Sequence, residues 1–544
     1  MSAAVRGHIW GTPIRVNSNL AIIFQKIPTA PATRLCGGRD WGTVATVSDS
    51  DTTHPVREEP AAGAAPSFAR RVRSAIFWRS GSQIVAQVIA WASTLIVIRL
   101  LDPADYGLYA MAQAVFVFLS FLNGYGFASS LIQAEEVTPR ALRQAFGILL
   151  LLNGSLALVQ YFGAPLLADY YGQPIVTDLL RTTALIYLAT PFFVIPEVVM
   201  ARALEFRKQA LVNLIAAITG AATALTLALN DYGVWTLVYA PIVLFWTRAI
   251  GLTIAARLLV WPSFDLRGTG KMLGFGGAIL LTQLLWLIQS QSDIFIAGRS
   301  FAPRELGLYA EALFLTQVLM SKFVPPLNEV AFPAYSRIQH DIAALRAGFL
   351  KAMRLVGLVT FPAYLGIVAT AGPLIETLLG PKWVAMTPLV RIIALSMPVM
   401  TLQILFSPAT TALGRPRIAT QTAGFGAVAF TLAFLVGVQF GPVGLSIAWL
   451  AASPALLACT YWLSRRLIGF TLGDIWRSAR SGLVPAIAMA LIVTGVDLLL
   501  VDLVAPLRLA LLVAAGMASY AGLLFVYDRP ALVDAIATLR GRAA

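Results

Sequence analysis

The sequence predicts an all-α polytopic membrane protein, with about fourteen transmembrane helices arranged as two six-helix lobes plus two C-terminal helices, on three observations. Of 544 residues, 58% are hydrophobic and only 12% charged, against about a quarter charged in soluble domains. That leaves too little polar surface to cover a water-soluble fold. Apolar runs close to the roughly 20 residues that about 30 Å of hydrocarbon requires recur from Ser82 to Tyr527. Lys and Arg gather in every second loop between those runs, the bias of cytoplasmic loops in multi-pass proteins.

The elements follow in order. Residues 1–65 mix Pro, Ser, Thr and charges without a lasting apolar period, so disorder or an over-extended gene start is expected. The apolar patch Leu20 to Phe24 is too brief for the core of a signal peptide. In residues 66–80, Phe68, Val72, Ile76 and Phe77 alternate with four arginines, which suits an amphipathic lead-in along the cytoplasmic leaflet or an overhang of the first helix. The first lobe, 81–258, holds spans near 82–101, 108–131, 144–167, 178–200, 208–229 and 234–257. A basic linker, 259–272, precedes the second lobe, 273–465, with spans near 273–297, 306–333, 352–375, 387–411, 418–438 and 443–464. A second linker, 466–480, leads to spans near 481–501 and 506–527 within 481–528, and a tail, 529–544, closes the chain.

One set of loops carries Arg140, Arg143, Arg202, Arg207, Lys208, Arg257, Arg337, Arg415, Arg465 and Arg477; the opposite set is marked by Asp102, Asp105, Asp169, Asp231, Glu376 and Asp502. The alternation holds through all the proposed spans and puts both termini in the cytoplasm. The net charge of +14 is therefore a topology signal, since no basic stripe of the kind that binds nucleic acid is present. Only Cys36 and Cys459 occur, and His8, His54 and His340 fall outside the apolar runs. No disulfide framework, metal or other cofactor is expected.

The chain also repeats itself at an offset of 200 residues. Gln83, Ile96, Arg99, Pro103, Gly107, Leu108, Tyr109 and Ala110 recur as Gln283, Ile296, Arg299, Pro303, Gly307, Leu308, Tyr309 and Ala310. Six spans separate the copies, an even number, so the halves run in the same direction about an axis along the membrane normal. The repeated Pro, Gly and Tyr read as helix-end, close-packing and interfacial residues.

With these motifs the sequence resembles the polysaccharide transporter family, that of Wzx-type lipid-linked oligosaccharide flippases, in the multidrug, oligosaccharidyl-lipid and polysaccharide (MOP) flippase superfamily. The matching stretches are Arg99 to Ala110, Ala201 to Lys208, Tyr232 to Val238, Ser292 to Ala310, Phe332 to Arg337 and Leu413 to Arg417. The resemblance implies a MATE-like fold, in which two lobes flank a central cavity. It implies translocation of undecaprenyl-diphosphate-linked oligosaccharide repeat units across a bacterial inner membrane by alternating access, for exopolysaccharide or O-antigen. Membrane lipids and the polysaccharide assembly machinery are the implied partners.

A diphosphate cargo asks for cations in an enclosed, wet cavity, and a charge at a helix centre costs roughly 2.5–3.5 kcal/mol on insertion scales. Arg248 lies nine residues before Arg257, about 13 Å inside its helix. Lys322 precedes Pro325 and Pro326 in mid-helix, where a kink would free backbone carbonyls. Both are candidates for the phosphates, with an internal ion pair as the other use. Arg391, like Arg181, lies near an outer helix end, where snorkelling is cheap; it is a third candidate.

Asp293, Glu197 and Glu329 are candidates for a coupling proton or cation, or for pairing with a nearby cation. The competing expectations are a drug exporter of the same superfamily, which would prefer an acidic and aromatic cavity, and a lipid II flippase. A polysaccharide polymerase or ligase is disfavoured, because every outer loop is short and none holds paired carboxylates, a nucleotide-binding glycine loop or a metal cluster.

Overall fold

The computed structural model describes residues 68–123, 138–203, 205–258, 260–265, 277–530 and 532–533. The first half contributes α1 (Phe68–Leu100), α2 (Pro103–Ser120), α3 (Pro139–Tyr171), α4 (Ile175–Thr183), α5 (Leu185–Arg202), α6 (Phe206–Leu229) and α7 (Val234–Ala256). The second half contributes α8 (Gly277–Ser300), α9 (Pro303–Arg337), α10 (Ile342–Leu378), α11 (Thr387–Ile404), α12 (Phe406–Ala412), α13 (Arg417–Gly437) and α14 (Gly441–Ile468). Two further helices follow, α15 (Leu472–Leu499) and α16 (Ala505–Tyr527).

Helix occupies every predicted window among the described residues. The fourth window is filled by α4 and α5, which meet at Ala184, and the tenth by α11 and α12, which meet at Leu405. Among the described residues, ten stretches are long and apolar enough to cross a membrane, Arg417–Ile468 being one stretch that holds both α13 and α14. The helices that fall outside the ten, α2, α8 and α9, all line the cavity described below and carry its three glutamines and Glu311.

Local chemistry sets the helix ends. Pro103 and Pro303 open α2 and α9, after extended Asp102 (φ −89°, ψ 150°) and Ala302 (φ −62°, ψ 149°). Proline fits a first helical turn because the N–H it lacks there would have no partner. Asp105 and Glu305 then accept hydrogen bonds from the backbone N–H groups of Asp102 (3.1 Å) and Ala302 (3.3 Å). The two copies thus use the same device 200 residues apart. The 466–480 linker is mostly helix: α14 ends on Gly469 (φ 77°), and Thr471 caps α15, accepting from the N–H of Asp474 at 3.3 Å. Similarly, α10 starts ten residues before its predicted window, where the Asp341 carboxylate accepts from the N–H of Ala344 at 2.9 Å. The stretch from Phe68 onward is the beginning of α1 and forms no separate element. The N-terminal 1–65 region, most of the 259–272 linker and most of the C-terminal tail lie outside the described residues.

The end of the molecule that carries Asp102, Asp169 and Asp231 is here termed the acidic end, the opposite one the basic end. At the acidic end the two repeats meet. A Cβ on Gly107 would overlap the carbonyl oxygen of Pro303, and a Cβ on Gly307 would overlap that of Pro103. The contact is reciprocal, as expected where a two-fold axis passes between parallel helices. Trp383 lies buried beside it, its indole N–H donating to the carbonyl of Ile98 at 2.8 Å and its ring edge-on to Tyr106 at 5.3 Å. The Arg99 guanidinium donates to the carbonyls of Thr377 and Leu378, and Lys382 Nζ donates to that of Leu100 at 3.1 Å. One apolar core runs across this seam, from Val97 and Met111 to Leu306, Tyr364 and Met397. Outward-facing Phe162, Leu166, Leu491 and Val526 are each more than 70% exposed, as side chains solvated by lipid tails would be.

Candidate functional site

Beneath the seam, a cavity of about 570 Å³ lies between the halves. Its first-half wall comes from α1, α2, α6 and α7, with Thr94, Tyr109, Gln113 and Thr236; its second-half wall comes from α8 and α9, with Gln291, Glu311, Phe314 and Gln317. Neither Arg nor Lys is among the described residues lining it. Glu311 is half-buried in this wall, and among the described residues it has no ion pair or hydrogen bond. Three glutamine amides and several hydroxyls give the rest of the lining both donors and acceptors.

The repeat register explains why the halves treat this space differently. Ser93 and Tyr109 face the cavity, whereas their copies, Asp293 and Tyr309, are fully buried in the second half. There the Tyr309 hydroxyl donates to Asp293 Oδ2 at 2.8 Å, and the Trp449 indole donates to Tyr309 Oη at 2.8 Å and to Asp293 Oδ2 at 3.3 Å. The backbone N–H of Ile294 donates to Asp293 Oδ1 at 2.8 Å. Both carboxylate oxygens are therefore engaged within the protein, and Asp293 does not line the cavity.

Of the other predicted residues, Arg248 and Glu197 come together. An Arg248 terminal nitrogen donates to Glu197 Oε2 at 2.8 Å, and its guanidinium lies over the Phe193 ring, 4.8 Å from the centroid. Helices α5 and α7 hold this pair inside the first half, away from the cavity lining. Lys322 is exposed on α9 and donates to Gln87 Oε1 of α1 at 3.1 Å. It stands five residues beyond Gln317, about 7.5 Å further toward the basic end. The Lys322–Gln87 hydrogen bond therefore joins the halves below the cavity. Helix α9 continues through Pro325 and Pro326, so the double proline does not end the helix. Glu329 and Arg391 are exposed and line neither the cavity nor the seam.

Glu311 is not among the acids singled out in the sequence, Asp293, Glu197 and Glu329. The signal was present: it is the one acid between Glu305 and Glu329 on its helix, and its counterpart in the first repeat is Met111.

Fold and cavity together define a class: an all-α, multi-pass membrane protein whose two like halves enclose a polar space. The chain belongs to the polysaccharide biosynthesis protein family, whose model matches residues 96–388, more than half of the chain. It is 25% identical over 469 residues to the teichuronic acid biosynthesis protein TuaB of Bacillus subtilis (strain 168), a match covering 84% of this chain and 96% of that protein. It is 24% identical over 427 residues to the succinoglycan biosynthesis transport protein ExoT of Rhizobium meliloti (strain 1021), covering 78% of this chain and 86% of that one.

Among solved structures, the lipid II flippase MurJ in an inward closed conformation matches with a TM-score of 0.65 at 14% identity, over 84% of this chain and 100% of that one. An inward-facing multidrug resistance MATE family transporter of the MOP superfamily matches with a TM-score of 0.55 at 14% identity, over 73% of this chain and 98% of that one. At such identity the structural likeness concerns the fold. The family and the MATE-like fold implied by the stretch Arg99 to Ala110 and its copy are borne out.

Proposed function

We propose that this protein is a flippase that moves undecaprenyl-diphosphate-linked oligosaccharide units across the bacterial inner membrane by alternating access, with both termini in the cytoplasm. The observation that carries the reading is the polar, amide-rich cavity between two like halves, in a chain of a polysaccharide biosynthesis family. Its volume lies within the roughly 300–1,000 Å³ usual for small-molecule sites, room for part of an oligosaccharide. The amides of Gln113, Gln291 and Gln317 suit sugar hydroxyls. Lys322, between the cavity and the basic end, is the cation that a diphosphate would meet on its way in. The named roles of TuaB and ExoT in polysaccharide assembly support extending the same class of cargo to this chain.

Glu311 is the acid whose charge a cargo or a coupling cation would meet; Glu197 is paired with Arg248, and Asp293 is enclosed. The test is the leaflet position of the lipid-linked repeat unit, read with a membrane-impermeant glycan probe on spheroplasts. Loss of the protein should leave the unit made but inaccessible from outside, and Lys322→Ala should reduce accessibility severalfold. A unit that stays accessible without the protein overturns the reading.

The lining itself favours a second reading. One carboxylate beside Tyr106, Tyr109 and Phe314, without a lining cation, suits an organic cation through charge and ring-face attraction. Export of that class would appear as lower dye-cation accumulation in cells that express the protein, lost in Glu311→Gln, with glycan accessibility unchanged.

A further inference from the structure

A second recess lies at the basic end, in the two added helices and away from the central cavity. It holds about 340 Å³ and is lined by Arg354 of α10, by Asp474, Arg477, Arg480 and Ser481 of α15, and by Asp528 just after α16. Some of its charges fasten the helices together. One terminal nitrogen of Arg354 contacts both oxygens of Asp528 at 3.0 Å, and Arg346 donates to Asp474 Oδ2 at 2.5 Å. Asp474 also accepts from Arg477 at 2.6 Å and from the Thr471 N–H and hydroxyl at 2.9 Å each.

Among the described residues, four guanidiniums, counting Arg346, meet two carboxylates at this recess. Arg477 has a side chain 67% exposed, with donors to spare beyond Asp474 and the carbonyl of Gly473. Arg480 is exposed and has no carboxylate partner among the described residues. The depth of the recess is marked by aromatic side chains of the kind that settle at lipid headgroups. Trp476 is 55% exposed and Tyr527 48%, while deeper along the same helices Leu491 and Met517 face outward.

We infer that this recess binds the phosphate of an anionic phospholipid headgroup, with Arg477 and Arg480 as its ligands and Arg354 as the fixed positive floor. Guanidinium forks match phosphate oxygens in pairs, and basic recesses between transmembrane helices on the cytoplasmic side hold such headgroups. The site is independent of the cargo assigned to the central cavity.

The full-length protein, purified in neutral detergent, is titrated with phosphatidylglycerol, phosphatidylcholine and inorganic phosphate, and bound lipid is read by native mass spectrometry. Phosphatidylglycerol should be retained at severalfold lower concentration than phosphatidylcholine. Each arginine near a charged headgroup contributes about fivefold. Arg480→Gln, at an exposed position with no ion pair among the described residues, should weaken phosphatidylglycerol binding by about that factor. Arg477→Gln/Arg480→Gln should weaken it on the order of 25-fold, with phosphatidylcholine binding unchanged and, for Arg480→Gln alone, an unchanged melting temperature. Equal retention of the two lipids, or variants that bind phosphatidylglycerol as the native chain does, would overturn the site. Full displacement by millimolar inorganic phosphate would overturn the lipid assignment in favour of a soluble phosphate.

Discussion

Asp293 is fully buried, so nothing but the protein can satisfy its carboxyl group. Tyr309, Trp449 and the Ile294 N–H do so, and they in turn depend on it. Asp293→Ala should therefore lower the melting temperature of the detergent-solubilised protein by the equivalent of about 1–3 kcal/mol, the cost of a buried donor left without its acceptor. Asp293→Asn keeps an acceptor and should lose less. A coupling role for Asp293 would instead appear as lost transport in Asp293→Asn at an unchanged melting temperature. The Arg248–Glu197 pair makes a similar point about charge. Removing Arg248 alone leaves Glu197 without its cation, and Arg248→Met/Glu197→Leu should recover part of the loss. A double-mutant cycle should return a coupling of about 1–3 kcal/mol. Sequence reading found both residues as buried charges in need of a reason, but their separation of 51 positions gives no local sign that each is the other's reason.

At the scale of the element, helix ends were more legible than the sequence analysis made them. Thr471 and Asp474 have the three-residue spacing of a capping pair, and Gly469 is where a left-handed residue would close the helix before it. Reading 466–480 as a linker missed both because its arginines suggested a loop. Thr471→Ala should cost about 1 kcal/mol, measured as a fall in melting temperature. The Pro-x-x-x-Gly repeats were legible as structural residues at helix starts, yet their mutual contact was not, since nothing within one copy says that the other copy lies against it. Gly107→Ala should push α2 from α9, because the new carbon meets a backbone carbonyl that cannot rotate away. With Cys36 and Cys459 replaced, a cysteine introduced by Ala310→Cys should react severalfold faster with an impermeant thiol reagent added outside when Gly107→Ala is also present.

Across the whole molecule, composition and hydropathy sufficed for the fold because lipid leaves few alternatives: a spanning segment must satisfy its own backbone, and a helix does so. The cavity was less legible, because a lining residue differs from a lipid-facing one only in what the other half places opposite it. The expected topology is separately testable. A fluorescent-protein fusion after residue 544 should fluoresce and an alkaline phosphatase fusion there should stay inactive; the opposite pattern would reverse the orientation.

The reciprocal contact of Gly107 with Pro303 and of Gly307 with Pro103 is isologous, the kind found where two identical subunits dimerise about a two-fold axis. The halves therefore relate as the partners of such a dimer, except that the chain running from α7 to α8 holds them at an effective concentration of about millimolar or above. Their interface need not be strong enough to keep the molecule assembled. The seam is free to be weak, and a weak seam is what a transporter must have if it is to part at one end without coming apart.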